Sequence, residues 1–394
     1  TIQSKRFVHV PNPYLSLLID HPMNSRFLEF FVNSWYSALE NPEEAQNSLF
    51  QTLIKRYRKT EYGKTYGAQD TTTVEEYQRK FPIADFSHFA PWLQKVKQGS
   101  WQALLTDKPV DWGITRGTTG PSKIIPYTEK EIEERFVLGP RCLMNYVYKT
   151  GDISLFEGQI LLFIYPSVAG TELCGDAEQV YGYSSGIYSK HLSQKMGLNL
   201  VYPVEEINQF GTQRVEAESK LRLDYICEKA EGLNVTAMIG IAQLMLLFGR
   251  VTKKKYGVYP KDKWKNLLLI SSSLPNVHAR YNPALRGMYE YRALRDIYGA
   301  TEGFYAQQLD ERPYCFPNYD YYLFEVQTKK GVKMLYEMKK GERGRLIVSS
   351  SLFPRYSIGD VVKSFGDGGI ACIAREKDFH VVKYWWDRFM GFAL

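Results

Sequence analysis

The first hundred residues follow a helical rhythm. Over "SRFLEFFVNSWYSALENPEEAQNSLFQTLIKRYRKT" apolar side chains return at three- and four-residue steps, and Pro42 divides the run in two. "TTTVEEYQRKFPI" predicts a short capped helix that ends at Pro82. From Trp101 to about Gln308 the period switches repeatedly. The apolar runs "GQILLFIYPS" and "NLLLISSSL" read as buried strands. "TEKEIEERFVLGPRCLMNYVYK" and "AESKLRLDYICEKAEGLN" read as helices, the first opened by Thr128 with Glu131 three residues on, a capping-box arrangement. "VTAMIGIAQLMLLFGRV" reads as strand, turn and helix. Strands alternating with helices predict a layered α/β fold with a largely parallel sheet. After about Tyr314 the chain turns to short β runs punctuated by "KKG", "KKGERG", "IGD" and "GDGG", the pattern of an antiparallel meander or small barrel. The expected division is a helical scaffold over 1–100, α/β lobes over 101–310 and a β lobe over 311–394.

Composition narrows the class. At 394 residues the chain exceeds what one hydrophobic core usually serves. Hydrophobic residues at 44% and charged residues at 24% are ordinary for a globular protein. The net charge of +7 is thin over this length and suits anionic small ligands better than nucleic acid. The densest basic stretch, "KKKYGVYPKDKWK", follows an expected helix and reads as a solvated face that favours that helix's C-terminus. Five dispersed cysteines form no C-x-x-C pair, and six histidines form no H-E-x-x-H, so neither a disulfide framework nor a zinc site is expected. No apolar run is long enough for a membrane span, and the first residues lack a signal-peptide apolar region. The expected setting is reducing and cytoplasmic.

Three segments carry candidate chemistry. In "TRGTTGPSKIIPYT" (Thr115 to Thr128), glycines allow backbone N–H groups to face an anion, hydroxyls add donors, and Arg116 and Lys123 add charge. The P-loop pattern does not fit: Gly117 and Gly120 are too close, and Pro126 bars a helix where one is required. A structural hairpin fits the same residues. In "DIYGATEG" (Asp296 to Gly303), Tyr298 suits a flat base, Thr301 a phosphate and Glu302 a Mg²⁺ ion, while a solvent-facing strand-end turn is the plain alternative. In "RYSIGDVV" (Arg355 to Val362), Asp360 suits ribose hydroxyls, or an ordinary Gly-Asp turn.

Together and in this order, the three segments resemble the adenylate-forming superfamily of luciferases and acyl-CoA synthetases. Within it they are most similar to the auxin-responsive Gretchen Hagen family of acyl acid–amido synthetases. "RGTTGPSKIIPYT" resembles that family's phosphate loop, "YGATEG" its Tyr…Ser/Thr-Glu-Gly motif and "RYSIGDVV" its Arg-Tyr-x-x-Gly-Asp-Val-Val motif. The resemblance implies an ATP and Mg²⁺ site. Thr115, Arg116, Gly117, Thr118, Thr119, Gly120 and Lys123 would line the phosphates, and Tyr298, Gly299, Ala300 and Thr301 the adenine and α-phosphate side. Glu302 would hold the metal, Asp360 the ribose hydroxyls and Arg375 ribose or phosphate, with Tyr356 a further cofactor-binding residue. Lys123, Thr301, Glu302 and Arg375 are the implied catalytic set.

"DGGIACIAREKD" is similar to the family's hinge segment, near 367–378. Arg116 replaces a usual Ser and Ala374 a usual Gly. The family continues into a small C-terminal domain with a lysine important to adenylation, for which the residues up to Leu394 supply no counterpart. Either this is the large domain alone, or the protein works without the small one. The implied activity is ligase chemistry: adenylation of a small carboxylic acid, then transfer to an amine or amino acid, with no nucleic-acid or membrane partner. The alternatives are transfer to a thiol, as in acyl-CoA synthetases, and a catalytically weak nucleotide- or acyl-adenylate-binding regulatory protein.

Overall fold

The structure is a computed structural model that describes residues 25–115, 122–174, 177–196, 199–211, 216–272 and 276–376. The expected helices come first: α1 (Ser25–Glu40), α2 (Pro42–Tyr57), α3 (Glu61–Thr65), α4 (Val74–Lys80) and α5 (Phe86–Lys97). Pro42 stands in the first turn of α2, where its missing N–H costs nothing. Thr73 and Glu76 close a reciprocal capping box on α4.

The hairpin β1 (Pro109–Ile114) and β2 (Ile124–Thr128) follows, then α6 (Glu129–Leu138) and α7 (Arg141–Thr150). The capping box of Thr128 and Glu131 is present at the start of α6. The single helix expected over this stretch is two, because Pro140 lacks the N–H that would continue the ladder. At the break Gly139 also lets Tyr188 pass: a Cβ there would lie 1.9 Å from the Tyr188 hydroxyl. The central part comprises β3 (Gln159–Leu162), β4 (Gly170–Cys174), β5 (Ala177–Tyr183), α8 (Ser184–Met196), α9 (Glu216–Lys229), β6 (Val235–Gly240), α10 (Ala242–Tyr256) and β7 (Leu267–Ser272). The last part is almost entirely β: β8 (Tyr291–Ala300), β9 (Gly303–Gln308), β10 (Cys315–Pro317), β11 (Leu323–Thr328), β12 (Gly331–Met334), β13 (Arg343–Ser349), β14 (Tyr356–Ser364) and β15 (Ile370–Arg375).

Two sheets result. The smaller has the order β2-β1-β5-β4, with Pro126 on its edge strand β2, where no ladder bond is lost. The larger has the order β12-β11-β13-β14-β15-β10-β9-β8-β7-β6-β3. Its β3, β6, β7 and β8 are parallel, as the alternating pattern predicts. From β8 onward each neighbour is antiparallel. The expected meander is there, and hydrogen bonds carry it directly onto the parallel sheet.

Strand β8 joins two cores. Ile297 belongs to the one built on β3, β6, β7, α7 and α10. Its neighbour Tyr298 belongs to the one built on α2, α4, α5, β11, β13 and β14. Successive residues of a strand face opposite sides, so one strand lines both interiors. The N-terminal helices are tied to the last strands by long-range bonds. The Gln46 side chain donates to the carbonyls of Tyr319 and Tyr322 and accepts from the Phe324 amide, and the Tyr57 hydroxyl donates to the Ser350 carbonyl.

The basic stretch that begins in the last turn of α10 carries surface ion pairs. Lys255 and Glu228, Lys263 and Glu231, and Lys265 and Glu290 form ion pairs. Among the described residues no helix is long and apolar enough to cross a membrane, and no group of three His, Cys, Asp or Glu could hold a metal ion.

Candidate functional site

The candidate site gathers where β8 turns back into β9, beside the open end of the β1–β2 hairpin. Parallel sheets present ligand sites at the C-terminal ends of their strands, and β8 ends here at the change from parallel to antiparallel pairing. The hairpin mouth is closed by a reciprocal pair. The Thr115 amide donates to the Lys123 carbonyl at 2.9 Å, and the Lys123 amide donates to Thr115 Oγ1 at 2.8 Å. Arg116, Gly117, Thr118, Thr119 and Gly120 lie between them, outside the described residues.

The β8–β9 turn consists of Thr301 and Glu302, with Ala300 paired to Gly303. It is held from below through the Thr301 carbonyl, which accepts from the Tyr127 hydroxyl at 2.8 Å and from Arg135 Nη2 at 2.7 Å. Arg135 also donates to Ser184 Oγ, and its guanidinium lies 4.5 Å over the Tyr127 ring. The Tyr127 ring crosses β1 at Gly113, where a Cβ would come within 2.2 Å of its hydroxyl. Sequence reasoning gave Arg135 and Tyr127 no role. The available signal was helical phase: Arg135 lies seven residues after the Thr128 cap, two turns along α6 on the same side.

From β14, Tyr356 sends its hydroxyl between the two candidate charges. It donates to Glu302 Oε1 at 2.9 Å and stands 3.3 Å from Lys123 Nζ. The same ammonium lies 4.9 Å over the Phe86 ring at the start of α5. Burial is the main reason the Tyr356 phenol titrates well above its ordinary value, with the Glu302 carboxylate adding to it. The hydroxyl therefore keeps its proton and remains a donor.

The corner before β14 is strained and heavily braced. Arg355 has φ of 44°, in the left-handed region. Its buried guanidinium makes two bonds to the Glu325 carboxylate, at 2.8 and 3.0 Å, and donates to the carbonyls of Gln78 and Phe81. Arg355, the first residue of "RYSIGDVV", thus faces the scaffold rather than the cleft.

Further along β14, Gly359 adopts φ of 81°, and Asp360 follows, 4% exposed. Asp360 stands opposite Arg375 in the β14–β15 ladder. Its Oδ1 lies 2.9 Å from Arg375 Nη1, and its Oδ2 accepts from the Tyr298 hydroxyl at 2.7 Å. Arg375 also donates to the Ile358 carbonyl. Burial chiefly raises the Asp360 carboxyl above its ordinary value, and Arg375 opposes the shift.

Beside this pair is a small, partly open cavity, lined by Asn276, Asp296, Tyr298, Cys315, Ala371 and Cys372 among others. Among the described residues Asp296 Oδ1 is buried there without a hydrogen-bond partner. Burial raises the Asp296 carboxyl to about 7. Asp296 opens the segment "DIYGATEG" but received no role from the sequence, because nothing in the sequence shows that a carboxylate two residues before Tyr298 faces a cavity. The structure therefore brings together Thr115, Lys123, Tyr298, Thr301, Glu302, Tyr356, Asp360 and Arg375 from four separate chain segments.

Comparison with known proteins supplies the kinship. Residues 32–222 match the GH3 family N-terminal domain. A jasmonoyl–L-amino acid synthetase of Nicotiana attenuata is 23% identical over 141 residues, 35% of this chain and 24% of that protein. An indole-3-acetic acid-amido synthetase of Arabidopsis thaliana is 23% identical over 132 residues, 31% of this chain and 24% of that protein. The aligned stretch therefore spans about a quarter of these relatives. Among solved structures, an acyl acid amido synthetase in complex with 2,4-DB superposes with a TM-score of 0.70 at 15% identity, covering 89% of this chain and 70% of that one. A 2-hydroxyisobutyryl-CoA ligase in complex with 2-HIB-AMP and CoA superposes with a TM-score of 0.59 at 12% identity, covering 86% and 69%. These likenesses establish the layered α/β fold of the large domain.

Proposed function

We propose that this chain, which belongs to the GH3 family of the adenylate-forming superfamily, binds Mg·ATP and adenylates a small carboxylic acid. The observation that carries the proposal is the meeting of Lys123 and Glu302 at the Tyr356 hydroxyl, beside Asp360. A cation, a hard oxygen donor and an acidic group are gathered around the Tyr356 and Tyr298 hydroxyls, and they come from three segments that each fit a plain turn alone and suggest a nucleotide only together.

The residues present fit the ligand. The unpartnered Asp296 Oδ1 offers an acceptor of the kind that the exocyclic amine of adenine would satisfy, next to the Tyr298 ring. Lys123 would hold phosphate oxygens as a point charge. Glu302 would contribute one carboxylate to Mg²⁺, which keeps most of its shell as water and substrate phosphate and needs no protein cage. Asp360 would receive ribose hydroxyls in place of one of its present partners.

Chemically, a carboxylate oxygen of the acid attacks the α-phosphorus, the bond to the bridging oxygen breaks, and pyrophosphate leaves. What the protein supplies is alignment and charge stabilisation in a site closed to water. In the second half-reaction an amine or amino acid attacks the acyl carbon, AMP leaves and an amide forms. One relative is named for joining an acid to an L-amino acid and another as an acid-amido synthetase; an amino acid acceptor is proposed here, as is a cytoplasmic setting. The direct test is ATP–pyrophosphate exchange with a panel of carboxylic acids, followed by product analysis with amino acids and with CoA. Exchange that survives both Glu302→Gln and Asp360→Ala overturns the site assignment. No exchange with any acid, together with no melting shift on adding Mg·ATP, overturns the nucleotide reading.

A further inference from the structure

Lys123 and Glu302 carry opposite charges, and both approach one buried phenol oxygen, yet the ion pairs among the described residues do not include a direct contact between them. An unobstructed ammonium and carboxylate at this range attract strongly in a partly enclosed cleft. Something must hold them apart, and the structure supplies it. A phenol can donate one hydrogen bond and accept another. Tyr356 donates to Glu302 and presents its lone pairs to Lys123.

Its placement is rigid. The Tyr356 ring is 2% exposed and packs on Phe353 at 4.9 Å and Phe89 at 6.1 Å. The backbone on either side is pinned to the segment before α5: Ala84 donates to the Arg355 carbonyl, and the Ser357 amide donates to the Ala84 carbonyl. The preceding Arg355 holds its left-handed φ against the Glu325 carboxylate and two carbonyls. Backbone strain that is so fully braced is found where a side chain must be aimed.

We propose that Tyr356 is a positioning residue whose hydroxyl keeps Lys123 and Glu302 from neutralising each other, so that the cation remains available to phosphate and the carboxylate to metal. This role rests on the adenylation reading and adds to it the cause of the two charges' readiness. When the nucleotide leaves, the hydroxyl satisfies both groups without a direct ion pair that the next nucleotide would have to break.

The test uses the full chain and Mg·ATP as the probe. Calorimetric titration is run on the wild type, Tyr356→Phe and Phe353→Leu, and the ATP-induced melting shift is followed as Mg²⁺ is varied. Tyr356→Phe keeps the ring and removes only the hydroxyl. The expected result is a Kd for Mg·ATP raised roughly tenfold, with more Mg²⁺ needed for half of the melting shift. Phe353→Leu loosens the packing of the same ring but keeps the hydroxyl, and is expected to lower the melting temperature while weakening binding much less than Tyr356→Phe does. Equal weakening in the two variants makes the role one of packing and overturns the proposal. A Tyr356→Phe protein that binds as the wild type does overturns it while leaving the adenylation reading intact. A wild type that binds no Mg·ATP overturns both.

Discussion

Asp360 and Arg375 face each other across neighbouring antiparallel strands, with Oδ1 and Nη1 2.9 Å apart. The second Asp360 oxygen is held by Tyr298 at 2.7 Å. The carboxylate is thus fixed from two sides, and on the proposed reading a ribose would take the place of a partner rather than enter free space.

Replacing Asp360 with Ala removes both contacts. The buried Tyr298 hydroxyl loses its acceptor, at a cost of about 1–3 kcal/mol. Denaturant unfolding is expected to show a midpoint lowered accordingly, and the ATP-induced melting shift is expected to vanish. Asp360→Asn, which retains an oxygen for the Tyr298 donor, is expected to recover most of the stability and little of the nucleotide binding.

Glu302→Gln is expected to leave the fold intact, because the glutamine oxygen still accepts from Tyr356 at the partly exposed turn. Pyrophosphate exchange is expected to fall by roughly two orders of magnitude, the scale set by losing one fixed electrostatic group in a closed site. A melting temperature close to the wild type's, with exchange lost, separates this result from misfolding.

Arg355→Ala should behave in the opposite way. The Arg355–Glu325 pair is almost fully buried, at 4% and 1% side-chain exposure. Removing one partner leaves a buried carboxylate uncompensated, at about 3–5 kcal/mol. Urea unfolding is expected to register that loss even without nucleotide, which marks Arg355 as a brace of the site rather than a ligand residue.

Asp296 predicts a pH signature. Its carboxyl rises to about 7 in the folded protein from an ordinary value of 3.8, because burial disfavours the charged form. Between those two values the folded state holds a proton that the unfolded state has released. Stability contributed by this group is therefore greatest in acid, declines as pH rises toward 7, and levels off above it. Melting temperatures measured against pH are expected to show that decline in the wild type and a flatter profile in Asp296→Asn. Identical profiles in the two proteins would show that the carboxyl is not buried as described.

The sequence by itself determined the local pieces. The capping residues Thr73 and Thr128, the break at Pro42 and the turn glycines act over a few residues, so their chemistry is legible where they stand. The order of the three motifs also sufficed to suggest a nucleotide site. The break at Pro140 was missed, since the apolar period runs through Gly139 and Pro140 as if in one helix.

Only the tertiary structure decided which motif residues gather at the candidate site and which face the scaffold. Arg355 and Tyr356 are neighbours in one motif, yet the first grips Glu325 and the second reaches Lys123 and Glu302. The roles of Arg135 and Asp296 were equally hidden, because they depend on a carbonyl 166 residues away in the chain for one and on a cavity for the other. The physical reason is the same throughout. Caps and turns are settled by bonds within a few residues, whereas the availability of a charge is settled by what desolvates it and what stands within hydrogen-bond reach, and that comes from strands and helices far away in the chain.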